Sequence, residues 1–370
     1  MITVEIMDIP KQEIIDRWSN LQSKLVANNI DAMIIPLGVN FLYYFKKEDK
    51  PSERLTIGVI PKEDKPFIIT PSFEKSNVER STGLDDIVVW EETESPYKKT
   101  AKEFNDRGIG NNVFVDPHLW FVEVEKLNKA GKFNIASAHE LIYEQRSIKS
   151  EWEIKQLQSA AKASSSGILN AIPQLKVGMT EKEYLKIVQT EMSVLSGSSL
   201  AFGLIQFGEN SAIPHGMPSE KKLQNDSVVL MDCGTPVNGY QGDITITIPF
   251  GKPTDFEKIY EIVFEANRAA FDSDKEEMIP AELDAVARNY ITKKGYGDYF
   301  THRLGHGLGL EVHETPYIVA TNKTPLVSGN CHTIEPGIYR PGKFGIRIED
   351  DVLVTKNGAK LLFETPRHNF

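Results

Sequence analysis

Four acidic residues stand at the mouths of two turns. Asp232 ends the run SVVLMD and Asp243 opens DITITIPF, with the turn signal Pro236-Val237-Asn238-Gly239 midway between them. Glu335 and Glu349 are likewise symmetric about RPGKFG, and Arg347, two residues before Glu349, shares its strand face. In regular hairpins each pair would be near cross-strand neighbours, with Cβ atoms about 4.5–5.5 Å apart when directly opposed. Carboxylates held so close repel, so something positive belongs between them. Two divalent cations about 3.5–4 Å apart, with carboxylates bridging them, would satisfy the cage. A lone D-x-G or E-P-G is ordinary turn chemistry; the paired symmetry of both hairpins is what makes a site.

The segment HRLGHGLGLEVHE (302–314) adds three of the chain's eight histidines. His302 and His306 are four apart, as in a zinc-binding helix. That motif needs glutamate after the first histidine, and Arg303 stands there. Glycines 305, 307 and 309 would each cost about 1 kcal/mol inside a helix. A strand or bend in which glycine admits a close backbone fits better. His215 in IPHGMP and His313 in EVHETP each precede one hairpin in a histidine-proline loop. His118, His139, His332 and His368 have no such setting and read as structural or surface residues. No G-x-S-x-G elbow and no phosphate loop is present. Cys233, beside Asp232 in a strand, reads as a small core residue.

These residues need elements to hold them. An amphipathic helix (DRWSNLQSKLVA) broken at Asn28-Asn29 opens an α/β half, followed by the paired strands of RLTIGVIPKEDKPFIITP and the strand of DDIVVWEE. Thr100 with Glu103 predicts a capping box, and HELIYEQR a closing helix. A boundary near Ile148 gives domains 1–148 and 149–370. Beyond it, helix, helix and hairpin occur twice, with capping boxes expected at Ser150/Glu153, Thr180/Glu183 and Thr254/Glu257. The expected fold is α+β: a C-terminal domain of two pseudo-symmetric halves behind a smaller α/β N-terminal domain.

Composition bounds the chemistry. The chain has 370 residues, 40% hydrophobic and 25% charged, the profile of a globular protein. A net charge of −10 and pI near 5.4 argue against nucleic acid or an anionic membrane as partner. No run approaches the roughly 18 apolar residues of a membrane span. The opening MITVEIMDIPKQEIIDRW carries acids where a signal peptide needs a basic stretch. Two cysteines make no disulfide framework, so a reducing cytoplasm is expected.

Taken together, Asp232, Asp243, His306, Glu335 and Glu349 resemble, in order and spacing, the creatinase/prolidase/methionine aminopeptidase superfamily of pita-bread metallopeptidases. The likeness covers about residues 150–365, with a weaker one in the N-terminal half. It implies that Asp232 binds one metal, His306 and Glu335 the other, and that Asp243 and Glu349 bridge them. Glu335 would also take a proton from the attacking water. His313 would stabilise the developing oxyanion and His215 act near the scissile nitrogen. His302 and Arg347 would shape the site for proline and for a carboxylate or neighbouring acid. The resemblance implies cleavage of an Xaa-Pro bond at a peptide N-terminus by a homodimer holding two divalent ions per subunit. A carboxylate-rich shell suits Mn²⁺, with Co²⁺, Fe²⁺ or Zn²⁺ also admitted. The expected activity is Xaa-Pro dipeptidase, with an Xaa-Pro aminopeptidase for longer peptides as the alternative. A silent binding or scaffold protein on the same fold is a third reading, which the complete ligand set disfavours. One position departs from the pattern: Ile246 replaces the usual arginine after the second aspartate.

Overall fold

The structure, a computed structural model, describes residues 9–47 and 49–366. The opening stretch up to residue 8, on which part of the signal-peptide reading falls, and His368 lie outside the described residues. The chain divides into two compact units, one ending at Arg146 and the other starting at Ser147.

The first unit runs α1 (Lys11–Ala27), β1 (Ala32–Pro36), α2 (Val39–Phe45), β2 (Ile57–Pro61), β3 (Phe67–Pro71), α3 (Lys75–Thr82), β4 (Ile87–Trp90), α4 (Pro96–Asp106), β5 (Asn112–Val115), α5 (Phe121–Gly131), β6 (Asn134–Ser137) and α6 (His139–Ser147). Its six strands form one mixed sheet in the order β4-β3-β2-β1-β5-β6. The helix α1 buries Ile14, Leu21 and Leu25 and stops where Asn29 takes φ +55°. The capping box expected at Thr100 is absent. Ser95 caps α4 instead, with Pro96 in the first turn, so Thr100 falls mid-helix and its hydroxyl donates back to the Pro96 carbonyl at 2.9 Å.

In the second unit, α7 (Glu151–Ala171) and α8 (Glu181–Ser196) both carry their expected capping boxes, and Gly197 at φ +70° ends α8. They cover the sheet β7-β8-β9, built from Phe202–Phe207, Ser227–Gly234 and Ile244–Phe250. The pattern then repeats with α9 (Phe256–Ser273) and α10 (Pro280–Lys293). The box expected at Thr254 does not form. Asp255 takes the cap position at φ +68° without a capping bond, and its carboxylate accepts from Arg340. The strands β10 (Gly305–Gly307), β11 (Glu314–Ile318), β12 (Cys331–Ile334), β13 (Gly337–Tyr339), β14 (Gly345–Arg347), β15 (Asp350–Leu353) and β16 (Lys360–Leu361) complete this half.

Strand alternation sorts the chemistry from the core. Val229, Met231, Cys233, Ile244, Ile246 and Ile248 pack with Tyr184, Val188 and Met192 from α8. In the other half Ile334, Ile338, Ile346, Ile348 and Val352 pack with α9 and α10. Each such side chain contributes roughly 1.5–3 kcal/mol on full burial. With side chains alternating at period two, the intervening residues (Asp232, Asp243 and Thr245; Glu335, Tyr339, Arg347 and Glu349) are left on the opposite faces. Ile246 therefore belongs to the helix-side core, 5% exposed and paired with Met231. Cys233 is a buried core residue as expected, and burial pushes its thiol well up.

Candidate active site and metal centre

Glu335 and Glu349 owe their place to one broken hairpin. The pairs Cys331↔Leu353 to Ile334↔Asp350 and Gly337↔Arg347 to Tyr339↔Gly345 share a single register, so β12–β13 and β14–β15 are two arms of one hairpin. The ladder breaks at Glu335-Pro336, where proline has no N–H to give. Continuing the register sets Glu335 opposite Glu349. Their own amides turn outward, Glu335 N–H to the Leu304 carbonyl (2.8 Å) and Glu349 N–H to the Thr245 carbonyl (3.3 Å). The break thus stitches the glutamates to the His306 segment and to the aspartate hairpin.

The aspartates are offset by comparison. Asp232 pairs with Thr245, so Asp243 lies one diagonal step away on the same face rather than opposite. Thr245 fills the gap between them. Its hydroxyl accepts from Arg347 Nε (3.0 Å) and donates to Glu349 Oε2 (2.5 Å). Thr333 plays the equivalent part in the other half, accepting the His306 N–H and donating to Glu335 Oε1, both at 3.2 Å. Spacing alone assigns neither threonine a role, although each lies two residues from an acid and hence on its face.

His306 is set between two glycines for a steric reason. A methyl group on Gly305 would collide with the Thr333 carbonyl, and one on Gly307 with the Thr315 carbonyl. Glycine lets β10 press between β11 and β12, with a bulge at His306/Gly307. His306 Nε2 reaches Glu335 Oε1 at 3.3 Å and Asp243 Oδ2 at 3.6 Å. Ligand atoms of Asp243, His306 and Glu349 all lie within 4.8 Å of one another, and all three residues are buried.

Arg347 is only 2% exposed and spends its guanidinium inside the site. Nη2 donates to Asp232 Oδ2 at 2.5 Å, and Nη1 to the Tyr339 hydroxyl at 2.8 Å and the Pro214 carbonyl at 3.4 Å. The Tyr339 hydroxyl, accepting from Arg347, keeps its own proton to give to His302 Nε2, 2.8 Å away. His302 Nδ1–H then donates to the Arg303 carbonyl at 2.7 Å. This fixes a neutral His302, and burial holds its pKa below the usual value. Both ring nitrogens are committed.

His313 is exposed and packs edge-on to His306, with ring centroids 4.2 Å apart. Desolvation and the neighbouring His306 lower its pKa to about 4. Behind it, Glu314 and Lys149 form a fully buried pair at 2.6 Å. His215 is also exposed, between exposed Ile213 and Met217. Its loop is tied down by Gln206, whose amide donates to the carbonyls of Ile213 (2.6 Å) and Gly216 (2.9 Å). Of the remaining described histidines, His118 bonds Asp116 at 3.0 Å, His139 packs at a tilt against Tyr143, and His332 is buried against Asp274.

The donor set fits divalent cations. Four carboxylates and a histidine converge while Arg347 is the one guanidinium among them, and Asp232 Oδ1 is buried with no partner among the described residues. Burial and the charge of neighbouring carboxylates push Asp243 and Glu349 well above the ordinary carboxylate range. Burial acts the same way on Glu335, but the His306 hydrogen bond and the Arg347 charge bring it down to about 2. Such a cluster is stable with both glutamates and both aspartates ionised only around added positive charge.

Comparison with known proteins agrees with this geometry. The model of metallopeptidase family M24 matches residues 155–356, and that of the creatinase/prolidase N-terminal domain matches residues 17–148. The chain belongs to metallopeptidase family M24. An uncharacterized peptidase of Staphylococcus epidermidis is 37% identical over 347 residues, 92% of this chain and 97% of the relative. Dipeptidase PepE from Mycobacterium ulcerans superposes with a TM-score of 0.90 at 31% identity, covering 97% of this chain and 98% of its own. The Xaa-Pro dipeptidase from Bacillus anthracis gives 0.88 at 29% identity (96% and 99%), and the X-Pro aminopeptidase from Thermotoga maritima 0.84 at 30% (94% and 98%). The fold is accordingly the pita-bread fold behind a creatinase-type N-terminal domain. Family membership implies divalent metal ions. No helix among the described residues is long and apolar enough to cross a membrane.

Proposed function

We propose that this M24 peptidase is an Xaa-Pro dipeptidase, hydrolysing the bond between a first residue and a proline at position two. The observation that carries the reading is the convergence of Asp232, Asp243, His306, Glu335 and Glu349 on one buried junction, in a chain whose structural neighbours include dipeptidases. We assign Asp232 to one cation, His306 and Glu335 to the other, and Asp243 and Glu349 to both, with Mn²⁺ the best match to the oxygen-rich shell. Bound divalent cations would polarise the scissile carbonyl and acidify the attacking water.

The chain's own groups divide the remaining work. Glu335, ionised at neutral pH, takes the proton of the attacking water and returns it toward the leaving nitrogen. His313 is neutral above about pH 4 and donates an N–H to the carbonyl oxygen as it gains charge. We assign His215, on its tethered loop, to act near the scissile nitrogen. An Xaa-Pro bond has no N–H, so proline is recognised by shape. His302, its nitrogens committed, offers only ring faces, which suit a pyrrolidine. Of the two roles expected of Arg347, we assign it the neighbouring acid, Asp232, and not a substrate carboxylate, because its donors are engaged within the site. The proposal includes a homodimer in the cytoplasm; two buried cysteines without a disulfide accord with a reducing compartment.

The deciding assay uses metal-reloaded protein with Met-Pro, Ala-Pro and the corresponding Xaa-Pro-Xaa tripeptides. Dipeptides should give the higher kcat/KM. A tripeptide preferred tenfold, about 1.4 kcal/mol of transition-state binding, would make the protein an Xaa-Pro aminopeptidase like its Thermotoga maritima neighbour. No hydrolysis of either would mark a non-catalytic binding protein.

A further inference from the structure

Arg340 follows Tyr339 on β13 and by strand alternation lies on the opposite face from the catalytic cluster. It opens the turn Arg340-Pro341-Gly342-Lys343, closed by a Lys343 N–H bond to the Arg340 carbonyl at 3.0 Å, with Gly342 at φ +70°. Proline second and a left-handed glycine third define a rigid type II turn. The Arg340 backbone is fixed in turn by its N–H bond to the Phe344 carbonyl at 3.0 Å.

The side chain is 8% exposed and half used. Nη1 donates to Asp255 Oδ2 at 3.2 Å, and the guanidinium stacks over Phe344 at 4.4 Å. Nε and Nη2 are buried and have no hydrogen-bond partner among the described residues. Those two nitrogens form one edge of the guanidinium, the fork that grips a two-oxygen anion side-on. A buried arginine edge is costly to leave unmade, so its natural complement is an oxyanion.

Arg340 also lines a cleft of about 400 Å³ together with Lys294, Lys343, Tyr296 and Tyr299. Three cations and two phenols face this space, and no carboxylate is among its described lining residues. That is a local exception in a chain of net charge −10. A second cleft shared by Arg340 and Lys343 includes Asp226 and Asp255 and is less suited to an anion.

We propose that the cleft between the β13–β14 turn and the segment after α10 is a binding site for a phosphoryl group. Arg340 supplies the bidentate edge when its side chain turns the buried Nε–Nη2 side toward the cleft, and Lys294 and Lys343, both exposed at the rim, supply further charge. A dianionic phosphoryl group uses this cation cluster more fully than a single carboxylate does.

The test is calorimetric titration of metal-loaded protein with inorganic phosphate and, separately, acetate. Wild type should bind phosphate saturably and more tightly than acetate. Arg340→Leu should weaken phosphate binding about tenfold or more, equivalent to about 1.4 kcal/mol. Arg340→Lys should rescue part of it, since charge remains but the fork is lost. The rim variant Lys294→Ala/Lys343→Ala, which changes only exposed side chains, should also weaken binding and keeps the test open if Arg340→Leu folds poorly. Phosphate binding unchanged in both the Arg340 and rim variants, or acetate binding as tightly as phosphate, would overturn the proposal. Because the readout is binding, it stands apart from the dipeptidase assay.

Discussion

Glu335 and Glu349 face each other at the single step where one continuous hairpin register is interrupted, and each sends its backbone N–H to a different neighbouring segment. The proline after Glu335 causes the interruption, and the interruption gives both carboxylates a common space. Asp243 and His306 enter the same space from the other two segments.

Metal content should follow this geometry. Chelation should abolish peptidase activity and Mn²⁺ or Co²⁺ should restore it. Asp243→Ala should lose more metal than Asp232→Ala by elemental analysis, because a bridging ligand serves both ions while Asp232 serves one. Full turnover in thoroughly metal-free protein would remove the mechanism.

The bond between Arg347 and Asp232 predicts a stability effect separate from catalysis. Removing one member of a buried ion pair strands the other, at a cost of about 3–5 kcal/mol. Arg347→Met should therefore lower the urea midpoint sharply, and Arg347→Met/Asp232→Asn should regain part of the loss. Equal stability of the single and double variants would show that the pair carries no such coupling.

Much of this site was legible in the sequence, and the reason is period two. Acids placed evenly about a turn reveal themselves by spacing, and glycines flanking His306 announce a crowded strand. The diagonal offset of Asp232 and Asp243 was not legible, because it depends on how the ten residues between them fold. Arg347 shared a face with Glu349 as read, but its partners Asp232, Thr245 and Pro214 lie more than a hundred residues away. Spacing within one strand carries no information about such contacts. Two helix starts were misread for a local reason: Ser95-Pro96 and left-handed Asp255 displaced plausible threonine caps.

Ligand and catalyst should separate among the histidines. His313→Ala and His215→Ala should keep near-normal metal content and lose roughly 10²-fold in turnover, as removal of a transition-state donor does. His306→Ala should lose metal as well. Intact turnover in His313→Ala would cancel its assigned role.

The buried pair His332–Asp274, 3.0 Å apart and fully inaccessible, should make stability depend on pH. Burial alone would lower the His332 pKa, but the Asp274 charge and hydrogen bond raise it above 6.5. A raised folded pKa means the pair's contribution is fully present below pH 6.5 and is lost as pH rises through the folded value. The stability gap between wild type and His332→Gln in urea should therefore be larger at pH 6 than at pH 8.5. A gap that is flat or widens with pH would contradict the assignment.

The glycines around His306 give the sharpest steric test. At Gly305 and Gly307 an added methyl meets backbone carbonyls of Thr333 and Thr315, which cannot turn aside as a side chain can. Relief requires β10 to move away from β11 or β12, and His306 moves with it. Gly305→Ala should thus lose metal bound through His306 and Glu335 even though every ligand is still encoded. Overpacking of this kind typically costs about 1–3 kcal/mol, so the protein should remain folded. At Gly309 the obstacle is the side-chain carboxylate of Glu314, itself held by Lys149. Gly309→Ala should therefore act on the His313 segment, reducing turnover with metal content kept. Metal affinity of Gly305→Ala equal to wild type would mean that close backbone approach is not what positions His306.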